Sequence, residues 1–313
     1  MRVTTASNPS NPDHGADFYR RTMAVLEQAG LPFLVGGAYA FAHYTGLVRD
    51  TKDFDLFILQ CDFEAALRAL REAGYEVERN FPHWLGKAYS DGCVVDLIYG
   101  SGNGLTPVDE EWFAHARPGT VMGVPVRLCP IAEMIWSKSF IMERERFDGA
   151  DVAHLLHCCA EEIDWPRLLA RFGDHWRVLL SHLVLFGYIY PADAARLPAK
   201  VMQTLVGRLS RELPGPAPRG EEAASDRPPG AVESETICRG TILSRAQYLA
   251  DVESGGYHDG RLPPTGNLTA EQVEQWTAAI EEDAHVPSVA AAPSVAERRL
   301  SGPRRRRPGR GRA

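Results

Sequence analysis

The sequence predicts an α+β fold: a small mixed β-sheet core with flanking helices, then a helical subdomain and a largely disordered C-terminal tail. Three observations carry this. Up to residue 130, short apolar strand-like runs alternate with helical spacing, without the regular repeat of a long βαβ array. From 131 to 212 the spacing is helical throughout. Beyond that, Pro, Gly, Ala and Arg replace the apolar pattern.

Residues 1–15 are polar and rich in Asn and Pro, so disorder is expected there. The core is expected over 16–130. Phe18, Met23, Val25 and Leu26 predict a helix over 17–29, stopped by Gly30. An apolar strand over 32–35 ends at Gly36 and Gly37, and a short helix follows over 38–44. Arg49, Asp50, Thr51 and Lys52 lead into a strand over 53–59. Asp62 opens a helix to residue 73, with apolar positions 63, 66, 67 and 70 and a stop at Gly74. Residues 75–78 read as a strand, 84–89 and 93–99 as a hairpin turning at Ser90, Asp91 and Gly92, and 124–128 as a further strand. The helical subdomain, 131–212, is expected to contain helices over 131–147, 149–160, 164–172, 174–188 and 197–212. A linker rich in Pro and acids follows over 213–235, then a semi-ordered extension over 236–283. Within it, Thr269 and Gln272 form a capping pair for a helix over 269–282. Residues 284–313 are expected to be a disordered Arg-rich tail.

The formal charge of −7 joins two opposed parts. Residues 298–313 hold eight Arg and no acid, and without them the chain stands at −15. So acidic a body is unlike a dedicated duplex-DNA binder. The tail suits contact with nucleic acid or an acidic surface, or serves as a solubilising end. Six cysteines, at 61, 93, 129, 158, 159 and 238, lack the spacing of a disulfide framework, which fits a reducing compartment. The N-terminus has no apolar signal core, and the longest apolar stretch, 178–190, is too short for a bilayer. A cytoplasmic protein with no membrane contact is expected.

Acids inside apolar strands are costly unless something pairs with them. Asp53 and Asp55 lie two apart on a strand and share one face, while Phe54 and Leu56 point to the core. Asp96, between Val95 and Leu97, is a lone acid in a later apolar strand. If the two strands are neighbours, three carboxylates meet, and a hard cation is their simplest partner. Two metals about 4 Å apart could then activate an attacking hydroxyl and steady a leaving pyrophosphate. Gly36 and Gly37 let backbone N–H groups approach phosphate, aided by the helix that follows. Each motif by itself is commonplace: a solvated strand face, an ordinary turn. Their combination is much narrower and points to chemistry on a nucleoside triphosphate.

The stretch from Phe33 through Gly36, Gly37, Arg49, Asp53 and Asp55 to Ile58 resembles the DNA polymerase β-like nucleotidyltransferase superfamily. It is similar to the small bacterial members, which include antibiotic nucleotidyltransferases and AbiEii-type toxin components. Gly36, Gly37, Asp53, Asp55 and Asp96 match each position of that family's motif. The resemblance implies that Asp53 and Asp55 hold Mg²⁺ or Mn²⁺, that Asp96 completes the metal site and helps activate the acceptor hydroxyl, and that the glycines touch the triphosphate. It implies transfer of a nucleoside monophosphate from an NTP to an acceptor hydroxyl, on a small molecule, a tRNA end or a protein. A second, looser match covers residues 131–138 with Arg144, Arg146, Asp148 and Asp151, and makes Lys138 a candidate phosphate contact. A snorkelling surface lysine is the alternative there. Arg49 and Thr51 would either contact phosphate or hold the acidic strand in place, the second being preferred. The resemblance spans about residues 30–160. A catalytically silent binding module, or a toxin–antitoxin component, is the rival reading.

Other motifs carry less. Gly100, Gly102 and Gly104 have Leu105 where a dinucleotide loop needs its third glycine, so 100–105 is expected to be a flexible loop near the site. His154, His157, Cys158 and Cys159 read as packed helix residues rather than a zinc site. His83 and Trp84 read either as an acceptor-pocket wall or as a surface loop with one anchoring aromatic.

Overall fold

In the computed structural model, the helix α1 (Pro12–Gln28) leads into β1 (Leu34–Val35), α2 (Gly37–Thr45), β2 (Asp53–Phe57) and α3 (Phe63–Glu72). Then come β3 (Glu76–Phe81), β4 (Leu85–Ser90), β5 (Cys93–Ile98), α4 (Glu110–Ala114), β6 (Arg117–Val121) and β7 (Val124–Leu128). The helices α5 (Ile131–Lys138), α6 (Gly149–Cys159), α7 (Trp165–Phe172), α8 (Trp176–Ile189) and α9 (Ala199–Glu212) follow. The chain continues through β8 (Ile237–Cys238), α10 (Gly240–Leu243), α11 (Leu249–Glu253), β9 (His258–Asp259) and α12 (Ala270–Ala284). The structure describes residues 12–49, 51, 53–213 and 236–284. The disorder expected for the N-terminal end, and the character expected of the 213–235 linker and the Arg-rich tail, therefore fall largely outside the described residues. The chain divides into two units, Met1–Thr277 and Ala278–Ala313, and of the second only residues 278–284 are described.

Seven strands form one mixed sheet in the order β3-β4-β5-β2-β1-β7-β6. The β2–β5 and β1–β7 pairs are parallel and the others antiparallel. The expected mixed sheet with flanking helices is thus present. In β2 the pleat sends Phe54 and Leu56 into the core, both fully buried, and leaves Asp53, Asp55 and Phe57 half-buried on the other face. Burying each of those two apolar side chains stabilises the fold by roughly 1.5–3 kcal/mol. Phe54 packs against Tyr19 of α1, with ring centroids 4.6 Å apart. The helix α1 thus covers the face of β2 opposite its carboxylates.

Three expectations are corrected. The strand β6 and the short helix α4 were not anticipated. The β6 run contains Pro118 and Gly119, which argue against a strand, but it lies at the sheet edge, where Pro is tolerated. The helix expected over 131–147 ends at Lys138. Ser139 donates back to the Ile135 carbonyl at 2.7 Å, Met142 N–H goes to the Leu243 carbonyl at 3.1 Å, and Met142 bridges Phe147. A tertiary contact from the extension thus overrides the helical spacing of this segment. Finally, the 100–105 segment is a packed turn rather than a flexible loop. Asn103 donates to the Ile242 carbonyl at 3.0 Å, and a Cβ on Gly102 would strike the Trp276 ring at 2.3 Å.

The extension over 236–277 is built around a polar centre. Arg261, 1% exposed, pairs with Asp259 at 2.6 Å and donates to Thr277 at 3.1 Å, while Thr241 donates to Asp259 at 2.8 Å. The anticipated capping pair is present: Thr269 N–H donates to Gln272 at 2.9 Å, and Gln272 N–H to the Thr269 hydroxyl at 3.2 Å.

Candidate active site

The parallel register of β2 and β5 sets Asp55 directly beside Asp96, and Asp53 beside Val94. Side chains at matching positions of a ladder share a face, so the three acids lie together on the side of the sheet that Asp53 and Asp55 occupy. Gly36 N–H donates to the Asp55 carbonyl at 3.0 Å, which draws the glycine turn against this strand. Gly37 has φ +51, and a Cβ there would lie 1.6 Å from Asp55 Oδ2. Gly36 is crowded for another reason: a Cβ would enter the Phe57 ring at 2.3 Å. Both glycines are therefore required for the turn that opens α2 to pack onto the acidic strand.

Asp53 and Asp55 have no cationic side chain in contact with their carboxylates among the described residues. Lys52 lies outside those residues. Burial, then the Asp96 and Asp53 charges, push the Asp55 carboxyl up to about 6, against the pull of Lys138 and Arg146. Asp96 is treated differently. Lys87, opposite it in the β4–β5 ladder, donates to both of its oxygens at 2.9 and 3.2 Å. Burial outweighs this pairing at Asp96, whose carboxyl is raised. At Lys87, pairing with Asp96 outweighs burial and holds the ammonium above its ordinary value.

Beside the acids stands a cluster of alternating charge. Lys138, at the end of α5, pairs with Asp148 at 2.9 Å and Asp151 at 2.8 Å. Arg146 reaches Asp148 at 3.0 and 3.1 Å, and Arg49 pairs with Asp151 while stacking 4.5 Å over the Phe41 ring. Burial would raise Asp148, but Arg146 and Lys138 overcome it and hold the carboxyl below its usual range. Three cations face two acids here, leaving one positive charge in excess. Lys138 is thus engaged by two carboxylates, and Arg49 ties the approach to β2 to the helix α6. Thr51 acts locally: its hydroxyl accepts from Asp53 N–H at 3.3 Å and donates to the Asp53 carbonyl at 3.0 Å.

Lys87 was missed at the level of sequence, although a signal for it exists. Asp91 and Gly92 have φ +54 and +77, a two-residue hairpin turn of the type that fixes register. With Ser90 opposite Cys93, Lys87 must fall opposite Asp96. Of the other residues considered, His83 and Trp84 pack with Phe81 under Trp276, whose ring centroid is 5.4 Å from that of Trp84. His157 pairs with Asp193 at 3.3 Å. Among the described residues no group of three or more His, Cys, Asp or Glu stands ready to hold a metal ion. Asp53 and Asp55 nevertheless suit a hard cation: they are adjacent, on one face and, among the described residues, without a cationic partner, and burial, then repulsion, raises Asp55. Asp96 joins them only by sharing its oxygens with Lys87. No helix among the described residues is long and apolar enough to cross a membrane.

No family model and no curated protein matches this sequence. Solved structures match over part of its length. The solution structure of the antibiotic-resistance factor ANT(2'')-Ia aligns at 17% identity, covering 55% of this chain and 98% of that one, with a TM-score of 0.39. The lincomycin-bound lincosamide antibiotic adenylyltransferase LnuA aligns at 12% identity, covering 47% of this chain and 98% of that one, with a TM-score of 0.34. An antigenic nucleotidyltransferase-like protein from Paracoccidioides brasiliensis aligns at 14% identity, covering 63% of this chain and all of that one, with a TM-score of 0.42.

Proposed function

We propose that this protein is a metal-dependent nucleotidyltransferase, moving a nucleoside monophosphate from an NTP to an acceptor hydroxyl. One observation carries the reading: two carboxylates without a cationic partner among the described residues, and a third acid, lie on one sheet face, against a glycine turn and beside a cluster with excess positive charge. Asp53 and Asp55 would hold Mg²⁺ or Mn²⁺. When bound, a divalent ion supplies charge neutralisation on the phosphate oxygens and eases loss of the acceptor proton. With the Gly36 N–H taken by the Asp55 carbonyl, the backbone at Gly37 and the first turn of α2 would face the phosphates. Lys138, Arg146 and Arg49, in excess over Asp148 and Asp151, offset the triphosphate charge.

In the transfer, the acceptor oxygen forms a bond to the α-phosphorus as the bond from that phosphorus to the β-bridging oxygen breaks, and pyrophosphate leaves. The hydroxyl proton passes to Asp96. Its raised carboxyl is a better base than an ordinary aspartate, and each oxygen keeps a lone pair beyond those used by Lys87. The acceptor would be a small molecule, a tRNA end or a protein.

The test is thermal: Mg²⁺ and one NTP together should raise the melting temperature more than either does separately. Asp53→Asn and Asp55→Asn should abolish that synergy. Absence of any shift with all four NTPs, under both Mg²⁺ and Mn²⁺, would sink the reading. A binding module without transfer is the second reading, favoured by the grip of Lys87 on both Asp96 oxygens. Label passing from NTP to RNA, protein or a small-molecule extract separates the two.

A further inference from the structure

We propose that Lys87 is a built-in counter-cation of the acid cluster, so that the nucleotide complex takes up one divalent ion, on Asp53 and Asp55, rather than two. The inference rests on the reading of this face as a metal–nucleotide site. It departs from the symmetric use of three carboxylates that the sequence led us to expect.

The position of Lys87 is built into the sheet. It comes from β4, an interior strand of the seven, and the Asp91–Gly92 turn determines which residue it opposes. Its side chain is 24% exposed and that of Asp96 12%, so the pair is sheltered rather than a transient surface contact. The ammonium contacts both Asp96 oxygens, at 2.9 and 3.2 Å, so a positive charge already stands at each arm of the carboxylate. A second divalent ion on Asp96 would have to share those oxygens with the ammonium and meet its repulsion. Among the described residues, Asp53 and Asp55 carry no such cation. Lys138, whose charge reaches Asp55, is committed to Asp148 and Asp151. Three carboxylates less one ammonium leave a deficit of two charges, which one divalent ion neutralises.

The experiment counts ions rather than turnover. Full-length protein is titrated with Mn²⁺ in the presence of an NTP analogue with a methylene bridge between its α- and β-phosphorus atoms, which cannot transfer. Free Mn²⁺ is read by electron paramagnetic resonance and bound analogue by equilibrium dialysis. Wild type and Lys87→Arg should each bind one Mn²⁺ per nucleotide, and Lys87→Met should bind two. Lys87→Gln, which keeps a polar donor for Asp96, guards against misfolding of the Met variant and should also bind two. Two ions in wild type, or one in folded Lys87→Met and Lys87→Gln, would overturn the proposal while leaving the metal–nucleotide reading intact. A complete lack of nucleotide-dependent Mn²⁺ binding in wild type would overturn both.

Discussion

Two pairs of aspartates lie close together in this molecule, and their environments are opposite. Asp148 and Asp151, at the start of α6, are saturated by Lys138, Arg146 and Arg49. Asp53 and Asp55, on β2, have no cationic side chain in contact among the described residues: Lys138 and Arg146 act on Asp55 only from a distance, against burial and the Asp96 and Asp53 charges. Asp148 is held below the ordinary carboxylate range while Asp55 is pushed up to about 6. The first pair behaves as a structural clasp between a helix, a connector and the approach to β2. The second keeps an unmet demand for positive charge among the described residues, which suits the metal site proposed above. Neutralising one member of each pair should therefore change stability in opposite directions.

The largest effect is expected at the clasp. Asp148→Asn takes a shared carboxylate from Lys138, which keeps Asp151, and from the largely exposed Arg146, and should destabilise the protein by about 1.5–3 kcal/mol in urea denaturation. A change of less than about 1 kcal/mol would dissolve the contrast. Asp55→Asn should instead stabilise the metal-free protein, on the order of 2 kcal/mol near neutral pH, because it removes a carboxylate that burial and then repulsion push up to about 6. The same substitution should abolish binding of the metal–NTP complex.

The pH profile separates the pairs further. The native state takes up the Asp55 proton at higher pH than the unfolded chain does, so stability falls as pH rises through about 6. The stability gap between wild type and Asp55→Asn should therefore close as pH drops from about 7 to about 4 in metal-free buffer. Asp148 works in the reverse sense. Its contribution is present above the ordinary aspartate value and lost as pH falls through the lowered folded one.

Smaller effects sharpen the picture. Gly37→Ala should cost about 1–2 kcal/mol for its positive φ and displace the Asp55 carboxylate, weakening metal–NTP binding by calorimetry. Thr51→Ala should cost only about 0.5–1.5 kcal/mol and leave nucleotide binding unchanged, since its hydroxyl serves a local turn.

Much of the fold around the site was legible because it rests on local rules. The alternation in β2, the glycine turn and the Thr269–Gln272 cap all follow from periodicities of a few residues. That Asp96 lies beside Asp55 depended on strand adjacency, which the motif suggested but local rules do not supply. The Lys87 partnership was written in the hairpin register yet overlooked, because a lysine within an alternating strand looks like any solvated residue. The break after Lys138 could not be read locally, since its cause, the Leu243 carbonyl, lies a hundred residues away. The polar centre of the extension was not legible either. A buried Arg261–Asp259 pair leaves no apolar periodicity to detect.

That extension also imposes an order in time. The connector that carries Arg146 into the clasp is gripped by later residues: Glu143 accepts from the Ser244 hydroxyl at 2.6 Å and from Arg245 N–H at 3.0 Å, and Met142 N–H reaches Leu243. Translation proceeds from the N-terminus, so the acidic strand and its glycine turn exist long before Leu243 is made. A nascent chain can hold the complete Asp53, Asp55 and Asp96 set while its connector still lacks this brace. Its cationic side is braced only once residues 243–245 have been made.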